Sequence, residues 1–173
     1  MPSMLLVLIG LIAGTGITAL LVVRLMLRMM LHVHPGPSDF ETTVSNVETA
    51  ITRAGWGHQR TMALHEKLAD KGQPVAFRVA LIDLCKPEYA ARLLTTDRHV
   101  ACLMPCTFGV DEADDGRVYI TRMNAGLIGR LFGGNIARVM GRDVERDEKA
   151  MLEEICHRSN DATFDSNRRS DAA

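Results

Sequence analysis

The chain has 173 residues, a net charge of −1 and 47% apolar composition, enough for one core-forming domain with terminal segments. Beyond Arg24 and Arg28 the acidic residues outnumber the basic ones, which excludes the basic face of a nucleic-acid footprint. Its cysteines, Cys85, Cys102, Cys106 and Cys156, are too few and too scattered for a secreted disulfide scaffold. No Cys-x-x-Cys occurs, and Cys102-x-x-x-Cys106 lacks the second pair of a zinc knuckle.

Met4 to Val23 carries no charged residue, a length that suits a helix crossing a hydrocarbon core of about 30 Å. The pattern predicts a transmembrane helix and juxtamembrane collar over 4–32, in contact with membrane lipid. Arg24 and Arg28 follow the run and no Lys or Arg precedes it. The positive-inside rule then places the protein in the inner (cytoplasmic) membrane in a single pass, with its C-terminal domain in the cytoplasm. A cleaved signal peptide fits less well, because a basic start and an Ala-x-Ala site are missing. Gly10, Gly14 and Thr18 share one helix face, a surface on which a second helix can pack. Arg24, Arg28 and His32 read as an interfacial collar, and 33–38, with Pro35-Gly36-Pro37-Ser38, as a linker.

The domain expected over 39–156 opens with an amphipathic helix, in which Val44, Val47, Ala50, Ile51 and Ala54 recur at helical spacing up to Gly55, with Thr42 or Thr43 as cap. A short strand over Trp56 to Met62 and a helix over Thr61 to Lys71 follow, and His65 reads as a solvated residue of that helix. Val75 to Leu84 is apolar on both faces apart from Arg78 and Asp83, as in a strand covered by helices. It ends at Cys85-Lys86-Pro87, where the helix Glu88 to Thr96 starts. His99 to Val110 reads as the next strand, with Val100, Cys102, Met104, Cys106 and Phe108 on one face and Pro105 marking a bulge or an edge. The turn Asp111 to Gly116 leads into an antiparallel strand over Arg117 to Met123. Leu127, Ile128, Leu131, Phe132, Ile136, Val139 and Met140 then form an apolar stripe broken at Gly133-Gly134, and Val144, Met151, Leu152 and Ile155 extend it. The polar stretch 157–173 is expected to be a disordered tail. The fold class predicted is α+β: a roughly four-stranded sheet with helices packed on it and a C-terminal helical extension.

Cys85-Lys86-Pro87 followed by a helix, and Leu103-Met104-Pro105-Cys106 before an Asp-Asp-Gly turn, resemble the family called domain of unknown function family 302, over roughly Phe40 to Ile155. The family's pattern is Cys-Asn-Pro and Leu-Leu-Pro-Cys, with Lys86 here in place of the asparagine and Met104 in place of a leucine. The resemblance implies a compact α+β fold, a homodimer and no established activity. It also carries a contextual association with sulfur-oxidising bacteria.

Pro87 suits the first helical position and Lys86 the cap, so Cys85 stands just ahead of a helix N-terminus, where unpaired N–H groups favour a thiolate. Cys85 is the candidate nucleophile, Lys86 the candidate thiolate stabiliser, and Cys106 the candidate resolving thiol if the two strands are neighbours. The function expected is thiol-based redox or sulfur handling. Against it stands the plain reading of both cysteines as small buried hydrophobes, with ligation of a metal or haem as a further alternative. No cofactor is expected, since no phosphate loop, Gly-x-Ser-x-Gly or calcium-loop spacing occurs. The spacing Gly126-x-x-Gly129-x-x-x-Gly133 reads as close helix packing. A second functional class is a non-enzymatic, dimeric ligand- or partner-binding module that uses the Leu127 to Met140 stripe as its contact surface.

Overall fold

The computed structural model describes residues 2–156; within the first helix the side chains are described from Gly10 onward, Ile12 and Leu27 aside. The tail expected over 157–173 lies outside the described residues. The chain divides into two units, Met1–Leu31 and His32–Ala173.

The first unit is the helix α1 (Pro2–Met29). Among the described residues no helix is long and apolar enough to cross a membrane. This finding overturns the expected single-pass placement in the inner membrane with a cytoplasmic C-terminal domain.

The second unit is an α+β domain. Its elements are β1 (Leu31–Pro35), α2 (Phe40–Arg53), β2 (Gly57–Ala63), α3 (Leu64–Asp70), β3 (Val79–Cys85) and α4 (Pro87–Leu94). A 3-10 turn (Arg98–Leu103) precedes β4 (Cys106–Glu112), β5 (Val118–Met123), α5 (Ala125–Phe132) and α6 (Gly134–Arg138). A π-helical turn (Val139–Val144) then runs into α7 (residues 145–156). The five strands form an antiparallel sheet in the order β1-β5-β4-β3-β2.

Alternation along the strands makes the core face. Ile82 and Leu84 of β3, Phe108 and Val110 of β4, and Ile120 of β5 are buried with Val47 and Ile51 of α2 and with Val139, Val144, Met151 and Ile155 of the C-terminal helices. On the opposite face the half-buried Thr107 hydroxyl and the Arg60 guanidinium satisfy the buried Asp83 at 2.8 and 2.6 Å. Local chemistry sets the element ends. Asp39, not Thr42 or Thr43, caps α2, its carboxylate accepting from the Thr42 N–H at 3.0 Å. Gly133 ends α5 at φ 70°, a conformation that favours glycine, which explains the break in the apolar stripe. The glycine spacing does mark close packing: a Cβ on Gly129 would lie 2.5 Å from Gly141 Cα.

Several expectations are corrected. The sheet has five strands rather than four, because Leu31–Pro35, expected in the collar and linker, pairs beside β5. β3 begins at Val79 rather than Val75. The run His99 to Val110 is not one strand: Asp97 accepts from the His99 N–H at 2.8 Å and starts a 3-10 turn, and β4 begins only after the cis Met104–Pro105 bond. Cys102 therefore does not share a face with Cys106. In the Leu127 to Met140 stripe, Ile128, Ile136, Val139 and Met140 are core, while Leu131 and Phe132 stay exposed.

Candidate functional site

Cys85 ends β3 and Cys106 begins β4. The two strands are antiparallel neighbours, with Leu84 opposite Cys106. Cys85 is one residue further on, a diagonal of about 6 Å between Cα atoms for regular strands, within disulfide range. In a continuing strand its side chain would alternate to the other face. Because β3 stops there and Pro87 starts α4, both cysteines instead line one cavity, with Trp56, Lys86, Tyr89 and Met104 among its walls. The cavity measures about 20 Å³, room for about one water, and its walls are mostly apolar. Both thiols are free and half-buried.

Lys86 occupies the cap position of α4 as expected, but its ammonium reaches Asp147 of α7 at 3.0 Å rather than a thiol. Asp147 Oδ2 also accepts from the Tyr89 hydroxyl at 3.0 Å and the Trp56 indole N–H at 3.2 Å, while Arg146 bonds Oδ1 at 2.8 Å. Burial works against the Asp147 charge, yet these donors hold its carboxyl at about 2. Trp56 and Tyr89 meet edge to face with ring centroids 5.6 Å apart, so this carboxylate ties α4, α7 and the entry to β2 together at the cavity rim.

The neighbouring residue on α7 points inward. Glu148 is buried and accepts from Arg122 Nη1 at 3.2 Å. Arg122, on the core-facing side of β5 and opposite Phe108, is held by a two-pronged pair with Glu145 at 2.7 and 2.8 Å. Glu145 also accepts from the Gly126 N–H at 3.2 Å. Burial raises the Glu148 carboxyl to about 7 against the opposing pull of Arg122. Burial, followed by the charge of Glu148, pushes the Cys106 thiol up. His34 of β1 faces Arg122 and Glu145, and burial lowers its pKa. Among the described residues His34 Nε2 and Arg122 Nε are buried side-chain atoms without a hydrogen-bond partner.

The family model for Domain of unknown function DUF302 matches residues 32–155. The chain belongs to the DUF302 family. The crystal structure of an uncharacterized conserved protein DUF302 from Bacillus stearothermophilus is similar, with a TM-score of 0.67 and 22% identity over 73% of this chain and 98% of that one. That likeness establishes the fold. No curated protein matches the chain.

Within the DUF302 domain the remaining sequence candidates are dispersed. Cys102 is exposed on the 3-10 turn, its Sγ 3.3 Å from His99 O, and Cys156 lies at the end of α7. His65 is not simply solvated: its Nδ1 lies 3.0 Å from Val79 O and its ring stands edge-on to Phe40, a link between α3, β3 and α2. In the acidic turn Asp115 pairs with Arg117 at 2.7 Å. No group of three His, Cys, Asp or Glu that could hold a metal ion occurs among the described residues, so Cys85 and Cys106 find no third ligand there. Sequence reasoning passed over Trp56, Tyr89 and Arg122. It also passed over Glu145, Asp147 and Glu148. Two signals were available: Arg122 continues the inward alternation of Val118 and Ile120, and Glu148 falls between Val144 and Leu152 on the apolar face of α7.

Proposed function

We propose that the DUF302 domain of this chain carries a two-cysteine thiol–disulfide exchange site, with Cys85 as the attacking thiol and Cys106 as the resolving one. The observation that carries the reading is the meeting of two free thiols at one small cavity. The substrate class is a small disulfide, R–S–S–R′. Cys85 loses its proton to solvent and attacks one sulfur; the S–S bond breaks, R′S⁻ leaves with the electron pair, and Cys85 carries a mixed disulfide. Cys106 then attacks Cys85 Sγ, RS⁻ leaves, and a Cys85–Cys106 disulfide remains. The substrate gains the two electrons that the cysteines lose. Lys86, bound to Asp147, serves here as part of the cavity rim.

The test is trapping. In Cys106→Ala the mixed disulfide has no resolving thiol and accumulates on Cys85, seen as one added R–S group by intact mass and peptide mapping. Modification spread over Cys102 and Cys156 with Cys85 unmodified would refute the reading. The alternative of a non-enzymatic dimeric binding module draws on the exposed Leu131 and Phe132, but most of its stripe is spent on the core. It predicts that Cys85→Ser leaves every function intact.

A further inference from the structure

We infer that the reduced cavity binds a soft monovalent metal ion, copper(I), between the thiolates of Cys85 and Cys106, with the thioethers of Met104 and Met140 completing a sulfur shell. The inference goes beyond the exchange reading and does not rest on it, although both use the same two cysteines.

Sulfur reaches this one point from three segments of chain. Cys85 comes from the end of β3, Met104 and Cys106 flank Pro105 at the start of β4, and Met140 comes from the π-helical turn that leads into α7. All four line the same cavity, whose volume of about 20 Å³ admits a single small guest. A π-helical turn is a frequent companion of functional sites, and this one presents both Met140 and Val144 to the cavity. Across the antiparallel pair of β3 and β4 the Cα atoms of Cys85 and Cys106 lie about 6 Å apart, a separation that suits one ion held between two thiolates as well as a disulfide.

The walls select the metal. Thiolate and thioether sulfur favour copper(I), whereas zinc takes four ligands drawn from Cys, His and carboxylates. No third His, Cys, Asp or Glu joins the two cysteines among the described residues, so the further ligands available are thioethers. The other lining side chains with polar tips direct them elsewhere. Lys86 Nζ, the Tyr89 hydroxyl and the Trp56 indole N–H all donate to Asp147, at 3.0, 3.0 and 3.2 Å. Leu84, Leu93 and Val144 close the remaining wall with hydrocarbon. Met140 is buried and Met104 packs against the core, so both sulfurs are held at the cavity while their unbranched side chains can still adjust to an ion. On binding, each thiol gives its proton to solvent and a sulfur electron pair to the ion; copper stays in the +1 state and nothing is oxidised or reduced.

The test titrates the full-length chain, reduced and free of oxygen, with copper(I) supplied as its acetonitrile complex against bicinchoninate as competitor. The expected result is one ion per chain, with sulfur alone as its nearest neighbour in X-ray absorption, and no uptake of zinc(II) under the same conditions. Cys85→Ser and Cys106→Ser should each weaken binding at least about 100-fold, more than the loss of an outer partner costs. Met104→Leu and Met140→Leu, which nearly conserve volume, should each weaken it about 10-fold. Cys102→Ser combined with Cys156→Ser should leave affinity and stoichiometry unchanged. Circular dichroism establishes that each variant is folded. Wild-type affinity in a folded chain lacking both Cys85 and Cys106 thiols would overturn the site, and so would nitrogen or oxygen in the metal shell. Wild-type affinity in both methionine variants would overturn the thioether half of the shell. A chain that binds no copper(I) yet forms the Cys85–Cys106 disulfide with glutathione disulfide loses the metal site alone; one that binds copper(I) and forms no such disulfide loses the exchange reading alone.

Discussion

Asp147 and Glu148 are adjacent on α7, yet their carboxyls are driven apart, one to about 2 and the other to about 7. Asp147 faces the cavity rim, where Lys86, Tyr89, Trp56 and Arg146 all donate to it. Glu148 faces the sheet, where it shares the Arg122 guanidinium with Glu145. Deeper burial raises Glu148, while the several donors around the less buried Asp147 outweigh its burial and keep it charged at neutral pH. Two neighbouring acids on one helix thus hold separate protonation states because their surroundings differ.

The strongest way to break this contrast is to remove the cation. Arg122→Met leaves Glu145 and Glu148 without their charge partner and should cost about 3–5 kcal/mol in urea unfolding at pH 7. A change under 1 kcal/mol would show that the pair does little to hold α7 on β5.

Next come opposed pH dependences. The Glu148 pKa is raised in the folded state above its ordinary 4.5, so its stabilising contribution is full below pH 4.5 and is lost as pH rises through about 7. The loss is about 3 kcal/mol at ~1.4 kcal/mol per tenfold, and Glu148→Gln should abolish that slope. The Asp147 pKa is lowered from 3.8 to about 2, so its contribution is present above pH 3.8 and is lost as pH falls through 2. Asp147→Asn should remove about 2 kcal/mol at neutral pH and flatten the acid limb. Urea midpoints from pH 2 to 8 check both, with Trp56, the sole tryptophan, as the fluorescent reporter at the rim. Identical slopes in the two variants would erase the contrast.

Gly129→Ala serves as a control outside both clusters. Its methyl would press on Gly141 and should cost about 1–3 kcal/mol without altering either pH limb. The smallest effect belongs to Cys102→Ser, exposed on its turn, which should change stability by less than about 0.5 kcal/mol. Cys102 should also be the first of the four thiols alkylated.

The comparison explains what could be read without coordinates. Helical spacing in α2, the Asp-Gly turn and the glycine break after Phe132 are local signals, and the α+β class and hairpin followed from them. Cys85 and Cys106 could be named because Pro87 and Pro105 mark the ends of their elements. Their meeting depended on the pairing of β3 with β4, which could only be posed as a condition. The Arg122 cluster joins a strand to a helix more than twenty residues away, and no local period encodes such a pairing. The stretch His99 to Leu103 misled because an alternating apolar pattern in a short segment also fits a turn capped by Asp97. The apolar start of the chain was read by composition as a span, which the described part of α1 does not provide.

The most direct measurement is peptide mapping of the wild-type full-length chain after brief exposure to glutathione disulfide, with free thiols blocked in acid. The account predicts a single cross-linked product, Cys85 to Cys106, with two equivalents of glutathione thiol released. Glutathione retained on Cys102 and Cys156, with Cys85 and Cys106 still reduced, would contradict it.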